Sequence, residues 1–288
     1  GYDGAMDRVF ATGQLIGGAA MLIGTVGGGL LGQMDLSIPF GVRSALLLLL
    51  FALAFYGMHD IGFEPKPVTW RTLPAEANAV GLAGVTFGWR NRSLRLIMVA
   101  GAIQGGIFMW AWYAWQPYFL ELLARDAVWV AGVVAALLAV AMMIGNSAVQ
   151  FITRFCGRRT TILLWTALAF SLTSIGVGWA TSFPLALAFL LLGSVAMGVQ
   201  MPVRQAFIHG MVPSAERATV VSFDSMIGGI GAVGGQAGLG LYSERQSYSA
   251  AYVAGGLITL IALPILWVVR RSNTSGDFFE GTALPEPE

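Results

Sequence analysis

Residues 217–241 read Arg217-Ala-Thr-Val-Val-Ser-Phe-Asp-Ser-Met-Ile-Gly-Gly-Ile-Gly-Ala-Val-Gly-Gly-Gln-Ala-Gly-Leu-Gly-Leu241. This stretch is long enough to cross a bilayer, because a spanning helix needs roughly 20 mainly apolar residues. After Arg217 it holds one charge, Asp224, and it is rich in glycine. Small residues let two membrane helices approach backbone to backbone, which is how packing holds helices together in lipid. The stretch therefore predicts a closely packed transmembrane helix with a single charge inside it.

The same pattern occurs once more, 207 positions earlier in the chain. There, Gly24-Thr-Val-Gly-Gly28 aligns with Gly231-Ala-Val-Gly-Gly235, and Ala11 and Thr12 align with Ala218 and Thr219. The match predicts an internal repeat, whose meaning depends on how many spans separate its two copies.

The composition indicates a polytopic membrane protein. The 288 residues are 56% hydrophobic and 11% charged, whereas about a quarter of the residues of a soluble protein are charged. The mean hydropathy is +0.72. The net charge of +1 and the scattered basic residues give no basis for nucleic-acid binding. A single cysteine, Cys156, excludes an internal disulfide framework.

Eight segments have the length and composition of spanning helices, and none shows the alternation of a membrane barrel strand. They lie at about 11–31, 38–58, 96–120, 128–152, 160–180, 184–205, 218–241 and 249–269. The connections are short, except for a charged and proline-containing linker at 61–94. The sequence therefore predicts an all-α polytopic membrane protein with eight transmembrane helices.

Lysine and arginine are distributed unequally between the two membrane faces. Arg43, Arg125 and Arg245 lie on one face, and the other 13 of the 16 Lys and Arg residues lie on the face of the linker. Since cytoplasmic loops carry an excess of Lys and Arg, the linker and both ends of the chain are expected to be cytoplasmic.

The repeat copies are the first and seventh spans, so six spans separate them and both cross in the same direction. This arrangement is typical of parallel six-helix repeats related by an axis along the membrane normal. Because the linker follows the second span, the last six spans form the second copy, and the first two spans are the end of the first copy.

Two motifs resemble those of the major facilitator superfamily. The loop Arg154-Phe-Cys-Gly-Arg-Arg159 resembles the second copy of that family's cytoplasmic motif Gly-x-x-x-Asp-Arg-x-Gly-Arg-Arg, with Gly157, Arg158 and Arg159 at matching positions. Gly24-Thr-Val-Gly-Gly-Gly29 resembles the end of the helix 5 motif Gly-Pro-x-x-Gly-Gly of proton-coupled exporters, with Thr25 at the proline position.

The resemblance implies an N-terminally truncated member that corresponds to helices 5–12 of 12. It implies the last two helices of the N-terminal bundle at 1–60, the inter-bundle linker at 61–94, a complete six-helix C-terminal bundle at 95–271 and a cytoplasmic tail at 272–288. In that family the substrate binds between the two bundles.

Candidate cavity residues recur at helical spacing on two spans. Gln104, Phe108 and Trp112 share one face of the third span, and Met197 and Gln200 share a face of the sixth. The resemblance implies that helices 7 and 10, which these spans represent, line the central cavity. The alternative for the aromatic residues is the interfacial belt, which we favour for Trp115 and Tyr118.

Arg204 and Asp224 are expected to pair, since they lie about equally far from the turn that joins the sixth and seventh spans. Ionisable residues inside spans are costly and mark candidate functional sites. A structural ion pair and a gate or proton-linked pair that opens during transport are both compatible with the sequence.

Two further sets carry expected roles. The resemblance places Arg154, Arg158 and Arg159 opposite Asp3 and Asp7, where ion pairs would lock one bundle against the other. Close-packed hinges between the bundles are expected at the glycines of the two repeat copies. These are Gly24, Gly27, Gly28, Gly231, Gly234 and Gly235.

The resulting expectation is a secondary active transporter that moves a small solute by alternating access, with proton-coupled efflux of a drug or lipophilic metabolite as the first hypothesis. The alternatives are an uptake permease and a non-transporting receptor or scaffold. His59, His209 and Cys156 form neither a metal site nor a nucleophilic site. We therefore expect no enzymatic activity, metal or cofactor, and we expect a proton gradient as the energy source. We expect a multi-pass protein of the bacterial inner membrane, with lipid and solute as partners and monomeric when full length.

Overall fold

The computed structural model describes residues 6–58, 78, 81–82, 84–123, 128–213 and 216–279. These residues form nine α-helices and contain no strand beyond one isolated bridge between Arg158 and Phe278. The helices are α1 Met6–Met34, α2 Ile38–Gly57, α3 Arg92–Leu123, α4 Val128–Ile152, α5 Arg159–Trp179, α6 Phe183–Met211, α7 Arg217–Arg245, α8 Tyr248–Thr259 and α9 Ala262–Arg271. The all-α prediction is confirmed.

Seven helical regions within the described residues are long and apolar enough to cross a membrane, with α8 and α9 together making one of them over Tyr248–Arg271. The described part of α1 adds a shorter apolar helix over Ala20–Met34. These regions correspond to the eight predicted spans.

The break between α8 and α9 has a local cause. Pro264 has no N–H, and its ring clashes with the carbonyl four residues earlier, at Leu260. Around this point the backbone makes tighter bonds, from the N–H of Leu260 to Leu257 O and from that of Ile261 to Ile258 O. The last span is therefore two short helices in series.

The chain divides into two compact units. The first contains residues 1–70 and 125–139, and the second contains 71–124 and 140–288. The first half of α4 thus groups with α1 and α2. The predicted domain boundaries at 60 and 94 stay predictions, because most of the linker lies outside the described residues.

In the first unit α1 packs closely against the beginning of α4. A Cβ on Gly29 would lie 2.8 Å from the Cα of Gly132, so two glycines are needed where these backbones meet. The Trp129 N–H donates to Gln33 Oε1 at 3.3 Å. In the turn to α2, the Ser37 hydroxyl and backbone N–H donate to the Asp35 carboxylate, and these bonds hold the pKa of Asp35 below its ordinary value.

In the second unit α3 packs against α7 and α5 packs against α6 and α8. The α3–α7 contact depends on glycine, because a Cβ on Gly231 would overlap the Ala102 carbonyl and one on Gly235 would overlap the Gly106 carbonyl. The apolar core holds fully buried side chains from α3, α5, α6, α7 and α9. They include Leu94, Met98, Leu163, Phe207, Val220 and Val269.

The aromatic end of α3 is core rather than an interfacial belt. Trp115 and Tyr118 are only 3% and 4% exposed, so the belt interpretation favoured for them is wrong. The Tyr118 hydroxyl donates to Val177 O at 3.1 Å, and its ring lies 5.5 Å from that of Tyr252. The belt and the core use the same amphipathic residue types. Here Trp115 packs against Phe119, and Tyr118 packs against Tyr248 and Tyr252 of α8.

The segment after α9 folds back onto the beginning of α5. Asp277 is fully buried, and its Oδ1 accepts the Thr160 N–H at 2.7 Å while its Oδ2 accepts the Thr160 hydroxyl at 2.9 Å. The N-cap residue of α5, Arg158, makes no side-chain cap of its own. Asp277 therefore supplies the cap from 117 residues away.

Candidate functional site

A cavity of about 340 Å³ lies between α3, α6 and α7 in the second unit. From α3 it is lined by Gly101, Gln104, Gly105 and Phe108, from α6 by Met197, Gln200, Met201, Arg204, Gln205 and Ile208, and from α7 by Val221, Asp224 and Ser225. Its volume falls within the range of small-molecule sites, which is about 300–1,000 Å³.

Four of the five predicted cavity residues line this space: Gln104, Phe108, Met197 and Gln200. Trp112 does not, but its ring lies 5.9 Å from that of Phe108, one turn earlier on α3. Trp112 therefore contacts the aromatic wall of the cavity without lining it. The helical spacing that selected these residues works because one face of α3 meets one face of α6.

Two glutamine amides join α3 to α6 at the cavity wall. Gln200 Nε2 donates to Gln104 Oε1 at 2.7 Å, and Gln104 Nε2 lies 3.5 Å from Gln200 Oε1. The two residues are 4% and 2% exposed. Because a buried amide without a partner costs about 1–3 kcal/mol, this reciprocal pair both satisfies the amides and fixes the separation of the two helices.

Arg204 and Asp224 form the ion pair that the sequence suggested. Arg204 Nη1 donates to Asp224 Oδ2 at 2.9 Å, and Nη2 donates to Oδ1, so the contact is bidentate. The side chains are 22% and 12% exposed. Two parallel charge-assisted bonds give such a pair directional strength. The Nε of Arg204 is buried and has no hydrogen-bond partner among the described residues.

Gly101 makes room for this pair. A Cβ at Gly101 would lie 2.5 Å from Arg204 Nε, so the guanidinium rests directly on the α3 backbone. Sequence reasoning missed Gly101, although it lies three residues before Gln104 and so on the same side of the helix. It also missed Gln205 and Ser225, which directly follow Arg204 and Asp224 in the chain. Both are polar residues inside predicted spans, and polar residues there are candidate functional residues.

The predicted basic loop contacts the segment that follows α9. Arg158 Nη1 donates to Asn273 Oδ1 at 2.8 Å, and Arg159 Nη1 donates to Phe278 O at 2.7 Å. The guanidinium carbons of Arg158 and Arg159 each lie 5.0 Å from a ring centroid, that of Phe278 and Phe279 respectively. Two arginines of the predicted latch are thus engaged within the second unit.

The proposed partners of this loop are Asp3 and Asp7. Asp3 lies outside the described residues, and the side chain of Asp7 is not described either. Arg154 makes no described side-chain contact. The bundle latch therefore stays a prediction.

The predicted packing glycines separate into two groups. Gly231 and Gly235 approach α3 closely, whereas a Cβ on Gly24, Gly27, Gly28 or Gly234 would meet no described atom within 4 Å. On α1 the close approach is made by Gly29 instead. The hinge role of the open glycines stays a prediction.

The comparisons with known proteins agree with this architecture. The family model described as Major Facilitator Superfamily matches residues 128–285, which is more than half of the chain. Among solved structures, the chain is similar to a bacterial homolog of the human lysosomal transporter Spinster, in an inward-facing and unoccupied conformation.

That similarity has a TM-score of 0.54 at 15% identity and covers 93% of this chain and 69% of the other. At this identity the likeness concerns the fold alone. No curated protein sequence matches the chain. On the strength of the family model, the chain belongs to the Major Facilitator Superfamily of membrane transporters.

Proposed function

We propose that this protein is a proton-coupled secondary transporter that exports a small lipophilic solute by alternating access, and that the α3–α6–α7 cavity is part of its solute site. Membership of the family supports membrane transport. The bidentate Arg204–Asp224 pair in the cavity wall is the observation that carries the coupling.

The pair links proton binding to solute binding through charge. Removing charged groups from water is costly, and a partly buried pair remains favourable only while both partners are charged and bonded. Proton uptake by Asp224 neutralises the carboxylate and weakens its hold on Arg204. The freed guanidinium, with the unused donor at Nε, then changes the polarity of the cavity wall. Proton binding therefore favours a different state of the cavity, which is what coupling requires.

The rest of the lining supports a solute with an apolar body and a polar group. Phe108, Met197 and Met201 present an aromatic ring and two thioethers, and methionine adapts to ligands of varied shape. Gln104 and Gln200 offer amides on the facing helices. Efflux of a drug or lipophilic metabolite fits this lining, in a bacterial inner membrane with both chain ends cytoplasmic.

The experiment is a flux assay on the full-length gene product reconstituted in liposomes, with a lipophilic fluorescent dye as the solute. Pyranine trapped in the lumen reports proton movement. We expect dye accumulation only under an imposed proton gradient, and proton movement in the opposite sense when the dye is added. Dye movement with the proton gradient would instead indicate an uptake permease. An absence of flux in the wild type would support a receptor or scaffold.

Asp224→Asn tests the pair itself. We expect gradient-driven flux to fall by more than about tenfold while the protein still reaches the membrane, because asparagine cannot take up the proton on which the proposed coupling depends. Glu244→Gln is the matched control, since it neutralises an exposed acid at the other end of α7. Full gradient-driven flux in Asp224→Asn would leave the pair with a structural role only.

A further inference from the structure

A second opening, of about 510 Å³, lies between α5 and α9 and shares no lining residue with the α3–α6–α7 cavity. Its walls are Leu164, Trp165 and Leu168 on α5 and Leu263, Pro264 and Trp267 on α9. Trp165 is 66% exposed and Trp267 is 46% exposed. The walls are thus apolar, and the opening is a groove on the outer surface of the helices.

Arginines close one end of this groove. Arg270 is among its lining residues, and the Arg271 guanidinium carbon lies 3.5 Å from the centroid of the Trp267 ring. Among the described residues the sole ion pair is Arg204–Asp224, so Arg270 and Arg271 have no acidic partner there. Asp277, the nearest acid along the described chain, is buried and is bound by Thr160.

The arginine end of the groove coincides with the end of the apolar span Tyr248–Arg271. Leu263 and Arg270 are seven residues apart on α9, which is about 10 Å along the helix axis. One leaflet contributes about 15 Å of hydrocarbon, so the groove is shorter than one leaflet is thick. The beginning of α5 lies at the same end, since Arg158 Nη1 donates to Arg270 O at 3.2 Å. Tryptophan at such a depth is typical of the membrane–water interface. The groove thus runs from the headgroup region into one leaflet.

The geometry points to a binding site for an anionic phospholipid of this leaflet, with its phosphate at Arg270 and Arg271 and an acyl chain along Trp165 and Trp267. Basic pockets between transmembrane helices are suited to anionic headgroups. A protein helix fits less well, because helices that pack in lipid meet through small residues and this groove has bulky indole walls. A flexible acyl chain adapts to such walls.

Tryptophan quenching tests the site directly. The full 288-residue chain is reconstituted in phosphatidylcholine vesicles that contain increasing fractions of either phosphatidylglycerol or phosphatidylcholine with brominated acyl chains. We expect brominated phosphatidylglycerol to quench at lower fractions, with a relative association constant raised about fivefold for each arginine. Trp165→Phe together with Trp267→Phe should remove this additional quenching, because these rings line the groove.

Variants of Arg270 and Arg271 test whether these two charges cause the preference for phosphatidylglycerol. Arg270→Gln with Arg271→Gln should bring the two lipids to near parity, whereas Arg270→Lys with Arg271→Lys should keep the preference. Arg154→Gln is the matched control, because it removes a positive charge from the end of α4 without touching the groove. Circular dichroism checks that each variant keeps its helices.

Three results would overturn the site. They are a wild type with no preference for phosphatidylglycerol, a preference that survives in the double glutamine variant, and a preference that Arg154→Gln reduces as much as the double variant does. The last result would mean that the charge of the whole face attracts the lipid.

Discussion

Gly101 shows how a residue without a side chain can govern a charged pair. The Arg204 guanidinium lies against the α3 backbone at this position, and from there it reaches Asp224 on α7 with two parallel bonds. Any side chain at position 101 would occupy the space of the guanidinium. Since the atoms in conflict belong to the far end of a flexible side chain, Arg204 would move while the helices stay in place.

Gly101→Ala is therefore expected to reproduce the transport defect of Asp224→Asn without loss of folded protein. The check is gradient-driven dye flux in liposomes, together with the melting temperature of the purified protein. Gly105→Ala is the matched control, because Gly105 lines the same cavity but has open space at its Cβ position. It should transport within about twofold of wild type. Equal fluxes for the two variants would mean that Gly101 does not act on transport through the Arg204–Asp224 pair.

At the scale of helices, the α3–α7 contact depends on which glycines of α7 lie directly against the α3 backbone. Gly231 and Gly235 are four residues apart and therefore share a face, and this face meets the carbonyls of Ala102 and Gly106. Gly234 is adjacent in sequence, yet a Cβ there would meet no atom within 4 Å. Two neighbouring glycines thus have different structural roles.

We expect Gly231→Ala to lower the free energy of unfolding by about 1–3 kcal/mol, as overpacking of a close contact does. The new methyl group meets backbone, which cannot move aside without separating the helices. Gly234→Ala should stay within about 0.5 kcal/mol of wild type. Unfolding in detergent, followed by circular dichroism, measures both. A Gly234→Ala variant as unstable as Gly231→Ala would contradict the assignment of the close backbone contact to Gly231.

The same comparison shows what the sequence could and could not predict. The apolar spans and the polar residues at helical spacing identified α3, α6 and α7 and six of the 13 residues that line one cavity, because periodicity specifies a face of a helix. The rotation of each helix about its axis depends on its neighbours, and so the sequence did not distinguish Gly231 from Gly234. Trp115 and Tyr118 were assigned to the membrane interface because their burial depends on how neighbouring helices pack around α3, which the sequence does not specify.

At the scale of the whole molecule, the end of the described chain completes a helix that begins far earlier. Without Asp277 the first turn of α5 would have an unsatisfied N–H at Thr160, and Arg158 provides no cap. Cap motifs are recognised in sequence because the capping residue directly precedes its helix. A cap from residue 277 has no such signature, so the sequence indicated only a tail.

Loss of this cap should destabilise the C-terminal bundle. We expect Asp277→Ala to lower the free energy of unfolding by about 1–3 kcal/mol, because it leaves the buried N–H and hydroxyl of Thr160 without their acceptor. Thr160→Val removes the hydroxyl alone, and in a double-mutant cycle it should add little once Asp277 is gone, since both changes break one contact. Ser275→Ala, at an exposed position of the same segment, should stay within about 0.5 kcal/mol of wild type. Fully additive effects of Asp277→Ala and Thr160→Val would mean that the carboxylate stabilises the fold through some contact other than this cap.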